Sequence, residues 1–177
     1  MINGSFQKHD LMKLTLILTL LFLTGFWFTN FALYFAKMGF TPQSVVSYYR
    51  GSEEQYRLPR TYQSMLEVTH GHLAMMPVVI LLLTHLLIFA PYTNKTKVSF
   101  IVGGFSLAIL NEGAGWLVRF VHPAFAWLKL VAFFSFQTIL GFLIVALALF
   151  LTKGTTLTIK SRNKLNHVEN KLDTQYH

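Results

Sequence analysis

The chain has 177 residues, of which 53% are hydrophobic and only 12% charged, with a mean hydropathy of +0.47 and a formal net charge of +8. A soluble domain carries about 25% charged residues, so an ordinary soluble domain is excluded. The basic residues flank apolar runs, and the positive charge therefore reads as membrane topology rather than nucleic-acid binding. There is no cysteine, which excludes disulfides, thiolate metal sites and covalent c-type haem attachment.

Residues 1–13 form a short polar N-terminus containing Lys8 and Lys13. Residues 14–36 are then apolar, broken only by small polar residues, Gly25 and Asn30. A spanning helix needs about 20 such residues. The apolar core of a signal peptide is shorter, so this run predicts a retained helix. The connector 37–64 is polar and tyrosine-rich. Thr41-Pro42 reads as a helix start, Ser44 to Arg50 as two turns, and Gly51 as their end.

The second predicted span, 65–90, begins with its polar half, EVTHGHLAMMP, and ends near His85. Residues 91–97 are a short turn. The third span, 98–120, is interrupted by Asn111-Glu112-Gly113-Ala114-Gly115, and Val121-His122-Pro123 is a tight link to the fourth, 124–151. Residues 152–177 form a polar tail. The fold class is all-α: an integral membrane four-helix bundle, 14–151, with short connections and one polar exoplasmic loop. Lys and Arg are more numerous in the N-terminus, the 91–97 turn and the tail than in the opposite connections. The positive-inside rule then places both termini in the cytoplasm, with the chain in the inner (plasma) membrane.

This topology gathers Glu67, His70, His72, Glu112, Arg119, His122 and Lys129 in the exoplasmic half. Polar groups at membrane depth are costly and by default suggest a function. At about 100° per residue, His70 and His72 are about 200° apart and cannot face one point from a regular helix. His85 is displaced from His70 by about 22 Å along the axis, as a possible second site. A b-type haem takes two imidazoles from facing helices, or one with an open position. His122 with His70 or His72 therefore allows one bis-His haem b, with Glu67, Glu112 and Arg119 supporting the ligands. On that side His85 has no partner histidine within the spans, and His9, before the first apolar run, reaches it only if the N-terminus folds back.

A copper, iron or zinc ion on His70, His72 and His122 competes with haem, with Met75 and Met76 as soft ligands. A proton or quinone site built on Glu112 and a histidine is a third reading, and a chain without any cofactor is a fourth. The bland alternatives are a non-catalytic accessory or assembly protein whose polar cluster is structural, methionines that only pack, and Glu112 neutralised by Arg119 or Lys129. Arg119 lies about 10 Å of rise from Glu112, so His70 or His72 is the sterically easier partner. Gly103, Gly104, Gly113 and Gly115 read as close helix packing. The leading expectation is electron transfer in the membrane, with the lipid bilayer and other membrane or redox subunits as partners and no nucleic acid.

The segments VVSYYRG, LEVTHGHLAMMPVVILLLTHLLIF and GAGWLVRFVHPAFAWLKL resemble a group of small four-span proteobacterial membrane proteins with a T-H-x-H motif. That resemblance covers roughly half of the chain. It implies the four-span layout and no particular activity. A looser similarity, through histidines spaced along one span, is to four-helix b-type cytochromes. The chain lacks the fourth well-placed intramembrane histidine that a two-haem member of that group uses.

Overall fold

The computed structural model describes residues 10–173, with side chains described through Leu151; His9 lies outside the described residues. Five α-helices follow in order: α1 (Asp10–Lys37), α2 (Pro42–Arg50), α3 (Tyr62–Ile88), α4 (Asn94–Trp116) and α5 (Phe125–Asp173). A π-helical turn, Leu117–Val121, continues α4. Four stretches among the described residues are long and apolar enough to cross a membrane: Asp10–Lys37, Tyr62–Ile88, Asn94–Val121 and Phe125–Leu151. Each overlaps one of the apolar runs 14–36, 65–90, 98–120 and 124–151. The protein is an all-α membrane bundle. Beyond residue 151, where a polar tail was expected, the backbone of α5 continues as helix to Asp173.

Local chemistry sets the helix ends. Thr41, Thr61 and Thr93 cap α2, α3 and α4, each side chain accepting from a backbone N–H three residues on. Pro42 opens α2, where its missing N–H has no helical partner to lose. Gly51 ends α2 at φ 86°, and a Cβ there would come within 2.7 Å of the Arg57 carbonyl oxygen. The chain then doubles back through a bridge between Ser52 and Arg57. Pro123 disfavours helical backbone at His122, which is extended at φ −149° and ψ 140°.

α5 is the central element, packing on α4, α1, α3 and α2. More than half of its span (56%) is buried, against 6% of the α1 span. Lipid tails are as apolar as leucine, so shape and small residues decide which helices touch. Leu83, Leu87, Leu140, Leu143 and Leu147 fill one core. Tyr34, Val45, Tyr49, Val118 and Phe133 fill a second under α2. A Cβ at Gly115 would stand 2.8 Å from the Tyr49 hydroxyl, and one at Gly141 would stand 2.9 Å from the Trp27 ring. Gly113, expected to serve the same purpose, faces open space. α1 leans on α5 and hardly touches α3, and this separation leaves room for the site.

Candidate ligand site within the bundle

Glu112 is the acceptor at the centre of a short hydrogen-bond chain. Trp116 Nε1 donates to Thr69 Oγ1 at 2.8 Å. Thr69 Oγ1 then spends its single proton on Glu112 Oε1. His72 Nδ1 lies 2.7 Å from Glu112 Oε2. With the carboxylate ionised, and so only accepting, this bond requires the imidazole proton on Nδ1; Nε2 has no protein partner among the described residues. Thr69 and His72 are three residues apart, one turn of α3, and so present to α4 together. This is the expected partnership of Glu112 with a histidine of the second span, made through His72.

Lys129 is the second polar centre. It is 7% exposed, and its Nζ donates to the Asn111 carbonyl oxygen at 2.8 Å and to Asn111 Oδ1 at 2.9 Å. An ammonium has three N–H groups, so one remains. Gln137, two turns further along α5, has its carbonyl oxygen occupied by Trp27 Nε1 at 2.9 Å. Its side-chain Oε1 is buried without a partner among the described residues. Such a group is costly unless something else bonds it.

These groups share one cleft. A cavity of about 380 Å³ lies between α1, α3 and α5, with Lys129, Asn111, His72 and Gln137 among its polar lining. Its walls are apolar and include Phe26, Leu33, Met75, Val79, Phe136 and Leu140. Leu33 and Met75 are both 56% exposed, so the cleft opens sideways, where lipid would stand. Gly71 also lines it, and no atom would meet a Cβ there within 4 Å. A mostly apolar cavity with a few convergent polar groups is the usual form of a small-molecule site.

The other predicted residues lie elsewhere. His70 is exposed, on a face of α3 different from that of His72, as helical phase requires. Glu67 is exposed and accepts from Gln63 Nε2 at 3.0 Å. His85 is exposed, its ring edge-on to Phe89 at 5.6 Å. His122 Nδ1 accepts from the Ala124 backbone N–H at 3.1 Å, holding the ring in its own Pro-bounded turn. Arg119 Nε donates to the Arg60 carbonyl oxygen at 2.6 Å. It therefore braces the connector, and Glu112, which rise along the helix already disfavoured as its partner, is held by His72 and Thr69. Met76 packs against the core, while both Met75 and Met76 line the cleft.

His70, His72 and His122 are thus not gathered into one donor set. Among the described residues no three His, Asp or Glu form a group that could hold a metal ion. Thr69, Trp116, Asn111 and Gln137 were not singled out as site residues from the sequence. Asn111 and Gln137 left one signal, as amides inside apolar runs, and Thr69 stands at the head of the T-H-x-H motif; Trp116 left none.

Residues 39–158 match a family described as a transmembrane helical domain. The chain belongs to this transmembrane helical domain family. No curated protein and no solved structure matches it. The part shared with the family runs from just before α2 into α5 and includes the whole polar cluster, whereas α1, one wall of the cleft, lies outside it. The protein is accordingly a multi-pass integral membrane protein whose helices contact lipid.

Proposed function

We propose that the lateral cleft binds a membrane-dissolved carrier with a carbonyl-bearing ring and an apolar tail, a quinone, and that the protein serves electron transfer as the subunit holding it. The observation that carries this reading is a cleft with apolar walls, open on the lipid side, into which a buried lysine, two amides and a carboxylate-held imidazole converge. A ring carbonyl accepts from the spare N–H of Lys129. Reduction of a quinone takes up two protons with two electrons. Here His72 and Glu112 supply a proton path, and a separate redox subunit supplies the electrons. The test is extraction of the purified protein followed by quinone analysis, together with thermal stabilisation by a short-tailed quinone. No retained quinone and no stabilisation would sink the reading.

A second reading, haem b or a single metal ion held by His72, is favoured by the His72–Glu112 bond. A carboxylate on one ring nitrogen orients an imidazole whose other nitrogen binds iron or another metal. Only one protein donor is then supplied, as in haem with an open position. A Soret band from protein made with ample haem would support haem b. Elemental analysis decides for copper, iron or zinc. Should all these measurements be blank, the polar cluster holds helices together, and the protein is an accessory or assembly component.

A further inference from the structure

A separate cavity of about 370 Å³ lies at the edge of the bundle, where α1 ends and α3 begins. Three cations line it, Lys37, Arg57 and Arg60, together with the hydroxyl-bearing Tyr48, Thr61 and Ser64. Among the described residues no carboxylate lines it, and none pairs with any of the three. Two of the three cations, Arg60 and Arg57, are held at it by hydrogen bonds. Arg60 donates to Tyr48 Oη at 2.8 Å and to Ser64 Oγ at 3.4 Å, with its guanidinium 4.5 Å from the Tyr48 ring centroid. Arg57 Nη1 donates to the Lys37 carbonyl oxygen at 3.2 Å. This clamps the hairpin over the end of α1. Thr61 caps a helix of 27 residues, so the positive end of α3 faces the same region.

We infer that this cavity is a binding site for an anionic phosphate group at the membrane boundary. Three cations brought together without a counter-charge repel one another. An anion held by charge-assisted bonds offsets that repulsion. Arg57 keeps guanidinium N–H groups beyond the one given to Lys37, and among the described residues the Lys37 ammonium has no carboxylate partner. Tyr48, Lys37 and their helix ends also border the lateral cleft, so an acyl chain attached to the phosphate has apolar surface to follow. A basic pocket beside spanning helices suits a lipid phosphate head group; a free phosphate shares its chemistry. The phosphate contacts themselves, made by Lys37, Arg57 and Arg60, do not depend on the head group that occupies the cleft between α1, α3 and α5.

The experiment uses the full chain in zwitterionic detergent, read by native mass spectrometry and thermal unfolding. The probes are phosphatidylglycerol, phosphatidylcholine and inorganic phosphate, at matched ionic strength. Phosphatidylglycerol is expected to be retained and to raise the unfolding midpoint. Lys37→Gln with Arg57→Gln should weaken its binding roughly 30-fold, from about a fivefold loss per surface cation. Arg50→Gln with Lys95→Gln removes the same charge elsewhere and should leave binding unchanged. Lys37→Ala alone, at an exposed helix end, serves if the double variant folds poorly. Protection by inorganic phosphate that is lost in the double variant assigns the site to free phosphate; protection by phosphatidylglycerol alone assigns it to lipid. Equal binding of phosphatidylglycerol by wild type and Lys37→Gln/Arg57→Gln overturns the inference. So does a wild type that prefers neither phosphatidylglycerol over phosphatidylcholine nor phosphate over chloride.

Discussion

His72 and Glu112 are joined at 2.7 Å across the interface of α3 and α4, with the imidazole side chain 48% exposed and the carboxylate 11%. The carboxylate is thus the enclosed member of the pair, and the imidazole is the member that reaches the cleft. One residue is fixed by the fold, and the other carries that fixed position to the ligand. Glu112→Gln keeps the shape and an acceptor for Thr69, but removes the charge that orients His72. The expected loss is about 1 kcal/mol, within the range of intramembrane hydrogen bonds, together with weakened ligand binding. An unchanged unfolding midpoint combined with unchanged ligand or metal content would refute both roles.

Lys129 and Asn111 should be coupled. Asn111→Leu leaves the buried ammonium with only the backbone carbonyl oxygen, at a cost of about 2 kcal/mol for a lost bond to a charged group. Lys129→Met removes the charge and its desolvation penalty, so it should cost less or even stabilise the fold. The double variant should recover most of the Asn111→Leu loss. A double-mutant cycle in chemical or thermal unfolding measures this; strictly additive effects would show that the bond contributes nothing. Ligand binding should be lost with Lys129→Met even where stability rises.

Gly71→Phe separates folding from binding. A Cβ at this position meets nothing within 4 Å, and phenylalanine is a somewhat better helix former than glycine, a gain of a few tenths of a kcal/mol. The new ring would stand in the cleft. Insertion and the unfolding midpoint should therefore match or exceed those of wild type, while stabilisation by a short-tailed quinone disappears. Undiminished stabilisation would place the ligand elsewhere.

Alkaline conditions should unfold the loop-bearing end first. Burial pushes the Tyr49 phenol well above its ordinary value, with Tyr48 adding in the same direction. The unfolded chain loses that proton near pH 10, whereas the folded chain keeps it. Above about pH 10 the unfolded state binds fewer protons than the folded state, so stability falls as pH rises. Tyr49→Phe should make the decline shallower between pH 10 and 12, read as unfolding midpoint against pH. An identical slope would mean that other groups govern it.

Length and hydropathy alone were enough for the spans, because a bilayer of fixed thickness leaves few ways to place runs of 20 or more apolar residues. Turn chemistry was equally legible: Thr41-Pro42, Gly51 and Pro123 act through local backbone sterics and mark the same boundaries in the fold. Helical phase separated His70 from His72, and the rise along α4 disfavoured Glu112 with Arg119; both are one-helix arithmetic. Which histidine faces Glu112 required the packing of α3 on α4. In lipid the outer and inner faces of a helix are both apolar, so a hydrophobic pattern does not reveal the contact side. His122 was drawn toward the cluster by its membrane level, yet a bond to Ala124 holds it in its own turn. The lateral cleft was not legible, because it exists only where α1 rests on α5 through Trp27 and Gly141 and stands away from α3. Lys129 finding Asn111 was likewise decided by tertiary structure: a buried ammonium takes whichever oxygens the neighbouring helix brings within reach.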